Sequence, residues 1–193
     1  WLGWQAEKTY RALLDELAVT TGATTAMRHY DRGWFHSEVE SEIHLSGAAP
    51  AFVIQLRLDH GPLALEGLVP VMAYVRGELH PAAGAARIAP LTVEGTTDLR
   101  GTTHLVFAWP AGQLPLAGGA LAWQPLRGGL SIERDAQRLA WQLETPALHF
   151  TGEAGADWRI EALQLRAARR EGIAGFPLGN IAGSAARLVH APD

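Results

Sequence analysis

The chain has 193 residues, 48% of them hydrophobic, and no cysteine. That length suits one domain with a sizeable core, and the missing cysteines exclude disulfides, thiolate zinc sites and cysteine nucleophiles. A net charge of −4 gives a nucleic-acid partner no electrostatic support, and no apolar run approaches the roughly 18 residues of a membrane span.

Ala6, Tyr10, Leu13 and Leu17 recur at helical spacing, which predicts a helix over residues 5–21. Glu7 and Arg11 form an i, i+4 pair on it, and Gly22 suits a C-terminal cap. Trp1 and Trp4 stand at its start, and two readings of them stay open. They pack on the body of the domain, or they lie in the interfacial belt of a membrane. The chain opens on Trp1 rather than Met, so a trimmed or processed chain is expected, one whose upstream membrane anchor is missing.

From residue 24 onward the period changes to two. Residues 25–30 and 35–45 read as strands, with Val39, Ile43 and Leu45 on one face and Glu38, Glu40, Glu42 and His44 on the other. Asp31-Arg32-Gly33 is the expected turn between them, with Gly33 supplying a positive φ. Further strands are expected near residues 52–58, 69–79, 91–94 and 102–109, the last with Thr103, Leu105, Phe107 and Trp109 on one face. Residues 130–133, 139–143 and 148–151 read as short separate strands. Residues 158–170 are strand or helix, with a phase slip before Leu163 that suggests a bulge, and residues 114–124 and the first half of 173–189 resist assignment. Turn residues every 8 to 14 positions, without helical crossovers, favour antiparallel pairing. The expectation is a single mainly β (α+β) domain over 1–193: a helix packed on a large twisted antiparallel sheet or sandwich spanning 24–193.

Three segments carry a family resemblance: Gly3-Trp4-Gln5-Ala6-Glu7 with Tyr10 and Leu13-Leu14, then Tyr30-Asp31-Arg32-Gly33-Trp34-Phe35-His36-Ser37, then Asp59-His60-Gly61-Pro62-Leu63. With them the chain resembles the bacterial family of unknown function DUF945, the YdgA-like proteins. Residues 172–179 add a weaker likeness. The resemblance implies an N-terminal inner-membrane anchor and a periplasmic β-rich body. It implies no reaction and transfers no catalytic residue.

Candidate chemistry is sparse. Eight histidines fall in no HxH or HExxH pattern, so strand ends and surface account for them better than a metal. Asp31 and Arg32 read as turn residues, with Arg32 stacking on Trp34 or pairing with a carboxylate. His60-Gly61-Pro62 reads as a rigid turn ending its strand, over a general base in a cleft. Gly118-Gly119 and Gly128-Gly129 read as hairpin glycines, and Glu38, Glu40 and Glu42 as a solvated face or guarded edge. No nucleophile and base stand at recognisable spacing, and neither enzyme activity nor a cofactor is expected. Of Trp34 and Phe35, on opposite sides of a strand, at least one is expected to be heavily buried. Phe107, Trp109, Trp141 and Leu143 are the expected lining of an apolar groove, with a lipid as its ligand. The alternative is a protein–protein or structural module with an envelope partner.

Overall fold

The structure, a computed structural model, describes residues 2–44, 51–66, 69–82, 88–116, 118–133, 138–152, 157–171 and 177–191. Helix α1 spans Leu2–Thr21. It stops where Gly22 takes a φ of 68° and returns its N–H to the Ala18 carbonyl at 2.9 Å, the left-handed cap that glycine makes without a Cβ penalty. Leu14 is its most buried described side chain, flanked by half-buried Tyr10, Leu13 and Leu17. Among the described residues no helix is long and apolar enough to cross a membrane.

Thirteen strands follow: β1 Thr24–Arg32, β2 His36–His44, β3 Ala51–Glu66, β4 Val69–Pro81, β5 Leu91–Thr97, β6 Thr103–Trp109, β7 Gly112–Leu116, β8 Gly119–Trp123, β9 Leu126–Ile132, β10 Arg138–Gly152, β11 Asp157–Glu171, β12 Pro177–Ser184 and β13 Arg187–Ala191. They make one antiparallel sheet with the path β1-β2-β3-β4-β5-β6-β9-β10-β11-β12; β13 joins β11, and the β7–β8 hairpin joins β10 through β8. The helix-on-sheet expectation holds, as a single sheet among the described residues rather than a sandwich. α1 covers only the β1–β3 end.

Several local readings need correction. Arg32 pairs with Ser37, and the Gly33 N–H reaches the His36 carbonyl at 2.8 Å. The tip of this hairpin is therefore Trp34-Phe35, not Asp31-Arg32-Gly33. Gly33 has no positive φ; it is needed because a Cβ there would lie 2.7 Å from the His36 carbonyl oxygen. Trp34 is 93% exposed and Phe35 68%, so neither is the buried aromatic the alternation called for. A two-residue connection leaves both side chains beyond the last cross-strand pair, where nothing packs on them.

His60-Gly61-Pro62 does not end its strand. β3 runs on to Glu66, and the register with β4 shifts between His60↔Ala73 and Ala64↔Val71, which puts two extra residues on β3. Proline lacks a ladder donor and is tolerated in such a bulge; the surroundings of Gly61 and Pro62, like Trp1 and Leu45, lie outside the described residues. Gly118 is a hairpin glycine as expected, at φ 88°, but Gly128 and Gly129 sit in the middle of β9. β2 is an interior strand, so its glutamates guard no edge.

Residues 139–143 and 148–151 belong to one long strand, β10, antiparallel to β11 without a register break. The phase slip before Leu163 is real, but a left-handed residue absorbs it: Ala162, at φ 51°, stands opposite Pro146. On one side of that point β10 and β11 pair with β9 and β12; on the other they pair with β8 and β13. The sheet forks there. The wing carrying Leu121, Trp123 and Leu148 turns back on Phe52 and Trp109, and with Leu114 this makes the densest apolar cluster. The Trp109 and Trp123 rings are 4.5 Å apart, and Phe52 meets Trp109 edge-on at 6.5 Å.

Candidate functional site: an apolar sheet face

In an antiparallel sheet, residues directly opposite one another share a face. Leu56, Gly77, Val93 and Phe107 stand opposite one another across β3 to β6. The row continues through Gly128, Leu143, Leu165 and Gly183 to β12. A second row runs Val75, Gly95, Leu105, Leu130, Trp141, Ala167. Both lie on the face that α1 covers at one end, where Val39 and Ile43 are buried. The opposite face carries ion pairs and polar contacts, among them Arg28 with Glu42, Arg57 with Asp59 at 3.0 Å and Gln55 to Glu40 at 3.4 Å.

Glycines shape the apolar face. A Cβ on Gly128 would fall 2.2 Å from Phe107 Cζ and 2.4 Å from the Gln142 carbonyl oxygen. Gly77 lies likewise under Leu56, Gly95 under Leu105, and Gly183 under Leu165. Each large side chain drapes over the glycine across from it, the arrangement that lets a sheet coil closely. Beyond α1 and the β7–β8 wing, no second layer lies on the face among the described residues, yet Leu105, Phe107, Leu130, Trp141, Leu143 and Leu165 are all half-buried. Such mutual shielding is what the inside of a curved surface gives.

The accessible surface is 12304 Å² for 20.8 kDa, where a compact monomer of that mass would expose about 8,900 Å². This face is an apolar sheet surface carrying the two rows. Two shallow depressions of about 430 Å³ each lie elsewhere, on the polar side, one by Glu38, Glu40, Arg57 and Arg76 and one by Ser131, Arg138, Ala168 and Arg170.

Phe107 of β6 and Trp141 and Leu143 of β10 share one face through the β9 register. Trp109 shares it but is taken up in the cluster with Phe52 and Trp123, and its indole N–H donates to the Ala89 carbonyl at 2.9 Å. It packs in that cluster rather than standing among the rows of the apolar face. Of the motif residues, Tyr30 is half-buried opposite Val39, and Arg32 donates to Glu7 on α1, so of the two partners named for it the carboxylate is the one found. Glu7 also takes Arg11 at 2.8 Å, and these two hydrogen bonds hold its carboxyl below the usual carboxylate range.

One pairing had no sequence signal. Ser37 Oγ lies 2.9 Å from His60 Nε2, with Ser37 fully buried and His60 5% exposed. They are 23 residues apart, and only the β2–β3 register, with Ser37 opposite Leu58, makes them neighbours. Burial, with His36 nearby, pushes the His60 imidazole below its ordinary pKa. A serine beside a neutral histidine is the start of a nucleophile and base. Here Asp59 is engaged by Arg57 on the other face instead of orienting the ring, and Ser37 offers no surface to a substrate. Tyr10 and Ser41 complete this polar island under α1: their buried hydroxyls sit side by side without a well-formed hydrogen-bond partner among the described residues. No group of three His, Asp or Glu converges as a metal site among the described residues.

A family model described as a bacterial protein of unknown function, DUF945, matches residues 1–189. The chain belongs to the DUF945 family. No curated protein and no solved structure matches it. Membership in DUF945 brings no reaction, ligand or site residue with it, so the apolar face of this DUF945 domain is read from its own chemistry.

Proposed function

We propose that this domain is a non-catalytic module of the bacterial envelope, periplasmic and tied to the inner membrane, that holds an apolar ligand of the lipid acyl-chain kind on the curved face of its sheet. The observation that carries the reading is the continuous row from Leu56 to Leu165, apolar across β3 to β11 and uncovered over most of its length among the described residues. Full burial of a Leu or Phe side chain is worth about 1.5–3 kcal/mol against exposure, and these side chains are only half-buried, so covering the face would gain part of that for each. Its floor is almost wholly hydrocarbon, and few groups there would hold a polar ligand by hydrogen bonds. An alkyl chain needs none.

Native mass spectrometry of the protein with extracted envelope lipids tests this. Stoichiometric lipid adducts support it; a clean apo monomer under the same conditions counts against it.

A second reading rests on β12. That strand pairs only with β11 among the described residues, and it leaves Leu178 and Ile181 exposed. An open edge with exposed apolar side chains accepts an added strand, which fits an envelope protein partner. A symmetric oligomer in the same spectra, without lipid, favours it.

A further inference from the structure

We propose that the β1–β2 hairpin tip and the start of α1 form one end of the molecule that rests in a lipid bilayer interface. Four observations converge. Trp34, almost wholly in solvent, and Phe35, about two-thirds exposed, are the two tip residues, and Trp4 is half-exposed. The tip is held rigidly, because the Gly33 N–H bonds the His36 carbonyl and the His60 N–H bonds the Phe35 carbonyl at 2.7 Å. The ion pair of Arg32 with Glu7 ties the tip's strand to the first turns of α1, which brings Trp4 to the same end. Lys8 lies 5.9 Å from the Trp4 ring centre, so a cation stands beside one of the aromatics, while the other charges at this end, Arg11 and Arg32 with Glu7 and Arg57 with Glu38 and Asp59, are paired with carboxylates.

The size and shape of the tip select the partner. Two aromatics present about 150–250 Å² each, well short of the roughly 800 Å² per partner of a stable protein interface. The tip is convex, so it encloses no small molecule. A bilayer interface needs neither area nor concavity: Trp and Phe sink to the headgroup level, and the neighbouring cation meets anionic lipid. This inference does not depend on what occupies the sheet face.

The test is flotation of the full chain with vesicles of phosphatidylethanolamine and phosphatidylglycerol, for the native protein, for Trp34→Ser with Phe35→Ser, and for Val19→Ser at the far end of α1. The native protein and the Val19 variant should float. The tip variant should float about tenfold less, since binding follows buried apolar area, with an unchanged circular dichroism spectrum and melting temperature. If the native protein stays at the bottom, or the tip variant floats equally well, the inference is overturned; in the second case the sheet face is the lipid contact. If the tip variant loses its fold, Trp34→Phe replaces it, and the deciding result is that brominated lipid quenches a smaller share of the variant's fluorescence than of the native protein's, because Trp4 remains in the interface and Trp34 is gone; an equal share quenched in both contradicts the inference. A concentration-dependent dimer abolished by the tip substitutions overturns it in favour of a second copy of this chain.

Discussion

Ser37 and His60 form a hydrogen-bonded pair that faces α1 and is closed to solvent. Burial disfavours the imidazolium, so His60 is neutral in the folded domain at neutral pH. Its folded pKa lies below the unfolded value, near 6.5. As pH falls through that value the unfolded chain takes up a proton that the folded domain refuses, so stability falls with pH until the folded pKa is reached. The melting temperature should therefore drop between pH 7.5 and pH 5, and His60→Asn should flatten that part of the profile. Equal slopes in both proteins would show that His60 is not the titrating group.

Exposure separates two tryptophans. Trp34→Ala should change stability by less than about 0.5 kcal/mol, as surface substitutions do. Trp123, stacked on Trp109 and donating its indole N–H to the Pro110 carbonyl at 2.8 Å, should cost about 3–5 kcal/mol as Trp123→Ala. Urea denaturation of both variants measures the contrast.

Gly128→Ala places a methyl group against a backbone carbonyl as well as the Phe107 ring. The ring can move and the Gln142 carbonyl cannot. A loss of about 1–3 kcal/mol is expected from this overpacking, and adding Phe107→Ala should not restore it. Recovery in the double variant would mean that the ring alone is the obstacle.

Ala162 stands in the left-handed region at the fork opposite Pro146. A non-glycine residue pays roughly 1–2 kcal/mol there, while glycine loosens the unfolded chain by about 0.4–1 kcal/mol. Ala162→Gly should thus stabilise the domain slightly, by up to about 1 kcal/mol, seen as a raised urea midpoint with an unchanged slope.

Alternation was enough to place Trp141 and Leu143 on one side of β10 and Leu105 and Phe107 on one side of β6; that these sides coincide follows from the β6–β9–β10 register, which alternation alone does not fix. It could not show that Phe52 on β3 meets Trp123 on β8, since that contact needs the sheet to fork at Pro146 and Ala162 and curl back. Gly33 drew attention to the right hairpin for the wrong physical reason: it permits a close approach to His36 rather than a positive φ, and the connection therefore slid by two residues onto Trp34 and Phe35. Gly128-Gly129 resembled a turn because nothing local reveals that a ring from the neighbouring strand lies over one of them. The Ser37–His60 pair depends on the β2–β3 register, which sets Ser37 opposite Leu58 and which no local pattern reveals.

An alkyl chain is proposed to lie along the apolar face of β3 to β11. Photocrosslinking with a diazirine fatty acid, followed by peptide mapping, locates such a chain directly. Adducts at near one per protein on the peptides that carry Val93, Phe107, Trp141 and Leu143 are the expected result. Labelling confined to the polar side around Glu38, Arg57 and Arg76, or to Trp34 and Phe35 at the hairpin tip, would contradict it.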